Sequence, residues 1–109
     1  MEYASEKRGD AVVLTARGRL DAVTASGFEA ECGKLLDDGA TCIVVDLGGL
    51  EFISSAGLRS ILSSGKKCKA AGCALRFCNL EGMVQDVFKV SGFASMFPVF
   101  ADADAAVAG

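Results

Sequence analysis

The run Thr41-Cys42-Ile43-Val44-Val45-Asp46-Leu47 constrains the fold more than any other stretch of this chain. Its β-branched residues follow one another without polar alternation, as expected of a strand covered on both faces. Such a strand sits inside a sheet that carries further layers. Its carboxyl end is an aspartate, Asp46, followed by the turn Gly48-Gly49. Two serines, Ser54 and Ser55, then stand just before a helix-like pattern.

The flanking segments alternate between strand and helix signals. Val12, Leu14 and Ala16 point one way and Val13, Thr15 and Arg17 the other, which predicts a strand that Gly18-Arg19-Leu20-Asp21 ends. A helix follows to about Asp38, with Phe28, Cys32, Leu35 and Leu36 on one face and Gly39 as its C-terminal stop. Leu58, Ile61, Leu62, Gly65 and Cys68 recur at helical steps over Ser55–Ala71, and Gly72 closes that helix. Cys73–Cys78 reads as a strand. Asn79 caps a helix carrying Met83, Val84, Val87 and Phe88 to about Gly92. Met96–Phe100 reads as a last short strand, and the Ala-rich tail as a short helix capped by Asp102 or Asp104, or a fraying end. No helix separates residue 8 from residue 18, so the early strands form an antiparallel part. The expectation is a single α/β domain over 1–109, with a mixed sheet of about four to five strands covered by about four helices.

Bulk properties narrow the function. A net charge of −3, with positive residues scattered apart from Lys66, Lys67 and Lys69, disfavours nucleic-acid binding. No apolar run reaches membrane-spanning length and the N-terminus lacks a signal-peptide core, so a cytoplasmic protein without a membrane role is expected. The five cysteines are odd in number and never spaced C-x-x-C; they read as reduced core thiols. The chain has no histidine, which removes Ser-His-Asp and Cys-His catalysis and the commonest zinc sites. There is no G-x-S-x-G, P-loop or G-x-G-x-x-G string, so no cofactor is expected. A Ser-Lys pair with Lys66 or Lys67 would have to span roughly 16 Å of helix. The chain is expected not to be an enzyme.

The two serines remain. In α/β sheets, function gathers where strand ends meet helix N-termini. Either serine can cap the helix for about 1 kcal/mol, and a cap needs only one. A phosphate on the other carries about −1.5 to −2 charges, which the helix N-terminus favours. The domain would stay folded, while a partner packed against a small neutral surface would have to bury that charge.

At these residues the chain resembles the STAS family, and within it the bacterial anti-sigma factor antagonists. Gly18-Arg19-Leu20-Asp21 is similar to the family's segment before the first helix. Val45-Asp46-Leu47 through Phe52-Ile53-Ser54-Ser55-Ala56-Gly57-Leu58-Arg59 is similar to its phosphoacceptor loop. The resemblance implies a partner that is an anti-sigma factor and a serine kinase of the GHKL type. The free antagonist sequesters this factor and releases the sigma factor. Phosphorylation ends the interaction, and a PP2C-type phosphatase restores it. The acceptor implied is Ser55, ahead of Ser54. Asp21, Ser54, Ser55, Gly57, Leu58 and Arg59 would make the partner surface, with Gly57 keeping the helix start open to another chain. Leu58 is divided between core and surface, Arg59 projects from the first turn, and Asp46 anchors the loop. Asp21 is also placed to cap the first helix.

A second reading is a structural STAS subunit of a lipid-transport or stressosome-type complex, with no phosphorylation cycle. The serine acceptor and the lack of a membrane segment or fused sensor favour the first.

Overall fold

In the computed structural model, which describes residues 1–109, the central apolar run is strand β3 (Cys42–Asp46). It lies third in a sheet ordered β1-β2-β3-β5-β6. Strand β1 (Glu2–Arg8) pairs antiparallel with β2 (Ala11–Leu20). β3 is parallel to β2 and to β5 (Ala74–Cys78), and β6 (Val99–Phe100) is parallel to β5.

Both faces of β3 are covered, as its composition demands. Ile43 and Val45 face a core of 18 buried residues beneath the helices α1 (Ala25–Asp37), α2 (Ser55–Ala70), α3 (Gly82–Val90) and α4 (Phe93–Met96). Val44 points the other way, into a group with Ala11, Val13, Cys78 and Ala106 under helix α5 (Ala103–Ala108). Phe77, Phe88, Phe93 and Phe97 join β5, α3 and α4 through edge-to-face contacts with centroids 5.3–5.8 Å apart, in the favoured range for such rings.

Several boundaries differ from the sequence reading. β2 does not stop at Gly18. It continues to Leu20 because a further strand, β4 (Leu50–Ile53), pairs with its second half, Gly18↔Leu50 to Leu20↔Ile53. β3 and β4 thus lie one after the other along β2, joined by a short turn. The first helix is led in by Thr24 and not by Asp21. Asn79 is no cap: it adopts a left-handed φ of 57°, and the residue before α3 is Glu81. Residues 93–96 form α4, which confines the last strand to Val99–Phe100. The tail is helical, with Asp102 as its cap at 2.8 Å to the Ala105 N–H. All five cysteines are free thiols, and four are buried. No helix is long and apolar enough to cross a membrane.

Candidate functional site

Parallel pairing of β2 with β4 creates the site. Leu20 and Ile53 are register partners, so the residues that follow them, Asp21 and Ser54, leave the sheet side by side. The Ser54 N–H donates to the Leu20 carbonyl at 3.0 Å, which fixes the two exits together. Asp21 and the Ser54-Ser55 pair therefore share one rim.

The serines divide their work. Ser54 is the N-cap of α2, and its hydroxyl accepts from the Gly57 N–H at 3.2 Å. Ser54 is half-buried; Ser55, the first helical residue, is exposed and takes no part in the cap. The first turn of α2 holds no acidic residue, and Arg59 is exposed one turn beyond Ser55. The local field at Ser55 is that of a helix N-terminus, favourable to an anion. The Ser55 hydroxyl makes no hydrogen bond within the chain, whereas that of Ser54 is engaged by the cap.

Asp21 organises the loop before α1. Its carboxylate accepts from the Val23 N–H at 3.0 Å and the Thr24 N–H at 3.3 Å. The Thr24 hydroxyl donates to the Arg19 carbonyl at 2.7 Å and accepts from the Asp21 N–H at 2.9 Å. This closed network presents Val23 to solvent, 87% exposed. Asp46 has the anchoring role expected, accepting from the Gly48 N–H at 2.9 Å.

Gly57 requires a correction. It is buried, and a Cβ there would lie 2.5 Å from the Leu20 carbonyl oxygen and 3.0 Å from Ile53 Cγ1. The glycine admits the chain's own β2 strand, not another protein. Leu58 is half-buried, packed on the core below and open above.

One part of this surface was not anticipated. A shallow apolar hollow of about 280 Å³ lies between α2 and α3, lined by Leu58, Val87 and Val90 with Asp86 and Ser91. Val90 is 89% exposed. The signal was present in the sequence: Val90 lies two residues past Phe88, off the helix's buried stripe, where an apolar residue has no core to serve. Across the sheet end, the Arg19 guanidinium sits 4.2 Å from the centre of the Phe52 ring, a cation–π contact at its register partner.

The buried cysteines offer no reactive thiol. Desolvation raises Cys32 to about 11 and Cys68 and Cys78 to about 12, so they stay protonated and unreactive at neutral pH. No cluster of His, Cys, Asp or Glu has the geometry to hold a metal ion.

A mixed sheet with helices chiefly on one face, and a serine loop at a helix start on its rim, define a small α/β domain built around an exposed surface. The chain belongs to the STAS domain family, whose description matches residues 2–106. BtrV of Bordetella bronchiseptica, whose name describes it as an anti-sigma factor antagonist, is 36% identical over 108 residues, covering 99% of this chain and 93% of that protein. An anti-sigma factor antagonist from Mycobacterium paratuberculosis superposes with a TM-score of 0.83 at 25% identity, covering 98% of this chain and 91% of that one. SpoIIAA in its unphosphorylated form has the same fold, with a TM-score of 0.70 at 19% identity over 94% of this chain and 91% of its own.

Proposed function

We propose that this chain is an anti-sigma factor antagonist whose binding is switched off by phosphorylation at Ser55. The observation that carries the reading is the division of labour at the start of α2. Ser54 holds the cap, and Ser55 stands exposed beside it. The name of BtrV supports the antagonist role. The partner proposed is an anti-sigma factor that is also a GHKL-type serine kinase, with a PP2C-type phosphatase resetting the switch in the cytoplasm. This chain contributes a binding surface and a phosphoacceptor; the ATP and the catalysis belong to the kinase.

The surface is Asp21, Ser54, Ser55, Leu58 and Arg59, extended by Val23 on one side and by the Val87–Val90 hollow on the other. Gly57 supports it from beneath. Phosphate on Ser55 is favoured in the free domain by the helix terminus. In the complex, the same charge must be desolvated against a partner that fitted a neutral hydroxyl, which costs several kcal/mol when no cation meets it. Each 1.4 kcal/mol of that cost weakens binding tenfold.

The test is a capture experiment from host lysate with Ser55→Ala and Ser55→Asp baits, read by mass spectrometry. The expected result is a GHKL-type kinase held by Ser55→Ala and lost with Ser55→Asp, both baits being folded by circular dichroism. Equal recovery of a transporter or scaffold by both baits would overturn the switch and favour the structural-subunit reading.

A further inference from the structure

A second concave surface lies well away from Ser55. α2, the start of β5 and the segment between α4 and β6 enclose a groove of about 370 Å³. Its apolar wall includes Leu62, Leu75, Met96 and Phe97, and Met96 is 55% exposed. Its rim carries Lys66 and Lys69, and no carboxylate lines it.

These lysines are the unabsorbed remainder of the one basic cluster in an acidic chain. Lys67 is turned to the other side of α2, where it meets Glu29 at 3.7 Å. Lys66 and Lys69 take part in none of the chain's ion pairs. Two unpaired ammonium groups one helical turn apart, above apolar walls, form a site with a charged end and a greasy end. The Phe97 ring lies close against α2 because that helix carries glycine there: a Cβ at Gly65 would lie 2.7 Å from the ring.

We propose that this groove binds a single-chain aliphatic carboxylate, its alkyl chain along Leu62, Leu75 and Phe97 and its carboxylate between Lys66 and Lys69. The lining argues for this class over a sugar or nucleotide. It offers no side-chain hydroxyl, amide or carboxylate with which to read hydroxyls or base edges. The Phe97 ring is engaged edge-to-face with Phe77 and Phe93, not presented as a stacking platform. Only charge and apolar area are recognised. Lys66 lies eleven residues past Ser55, roughly 16 Å along the helix, so ligand and phosphoacceptor do not compete for one surface.

The experiment is an amide NMR titration of the full chain with decanoate below its micellar concentration, with decanol and decylammonium as controls. Saturable shifts at Gly65, Leu75 and Phe97 are expected with decanoate. The exposed double variant Lys66→Gln/Lys69→Gln should bind decanoate at least tenfold more weakly at unchanged Tm and lose all preference for it over decanol. Ser55→Ala should titrate like the parent, which separates this inference from the switch. Shifts absent from those amides, a double variant that binds as the parent does, or decylammonium binding as well as decanoate would each overturn it.

Discussion

At Ser54 and Ser55 two identical side chains meet opposite environments, and their substitution should separate accordingly. Ser54→Ala removes the hydroxyl that accepts from Gly57 N–H and should cost about 1 kcal/mol, a fall in Tm of roughly 4–8 °C for a domain of this size. Ser55→Ala touches no such bond and should stay within about 0.5 kcal/mol of the parent. Ser55→Asp places a carboxylate in the first turn and should be neutral or slightly stabilising. Thermal unfolding of the three variants decides the matter: a larger loss for Ser55→Ala than for Ser54→Ala would reverse the assignment of cap and acceptor. Gly57→Ala is the third case. Its Cβ would press on the Leu20 carbonyl that also holds Ser54, so a loss of about 1–3 kcal/mol is expected. That one of the two serines caps α2 could be read from the sequence because capping is local; which of them does so could not. Gly57 could not, because its neighbour Leu20 is 37 residues away in the chain.

At the scale of elements, the local signals were read and the long-range pairings were not. β3, α1, α2 and β5 carry periodicity over whole turns or continuous apolar runs, and their limits agree with expectation to within a few residues. β4 left no such trace. Leu50 and Ile53 are its buried residues, an interval of three in a four-residue strand, which breaks the alternation that marks strands. Its existence depends on β2, and so does the placement of Asp21 beside Ser54. α5 stood between helix and fraying end, and Asp102 decides it by accepting from the Ala105 N–H. This helix alone covers Cys78 and Val44 on its side of the sheet. Asp102→Ala should therefore loosen α5 locally and speed the reaction of Cys78 with a thiol reagent several-fold, while the global urea midpoint falls by no more than about 1 kcal/mol equivalent. Mass spectrometry of the labelled peptide reads it out. An unchanged Cys78 rate would mean that α5 is held by packing of Ala106 and by the Arg76–Ala106 carbonyl bond, not by its cap.

For the whole molecule, the buried thiols set a limit on the alkaline side. Burial raises Cys32 to about 11 and Cys68 and Cys78 to about 12, from an ordinary value of 9.0. In the unfolded chain these groups ionise near their ordinary value; in the folded chain they hold their protons for two to three further pH units. Above pH 9 the unfolded state therefore binds fewer protons than the native state, and stability falls as pH rises. Below pH 9 both states hold the thiol protons, and this contribution is flat. The Tyr3 hydroxyl, also raised by burial, acts in the same direction. Urea midpoints measured between pH 7 and pH 11 should be steady to about pH 9 and then decline. The loss should be smaller in Cys78→Ala, which removes one buried proton but leaves the Tyr3 hydroxyl and the other buried thiols to titrate as before. The difference between parent and variant isolates the thiol. Parallel curves through pH 11 would mean that Cys78 meets water in the native state, and that α5 does not seal the second face of the sheet.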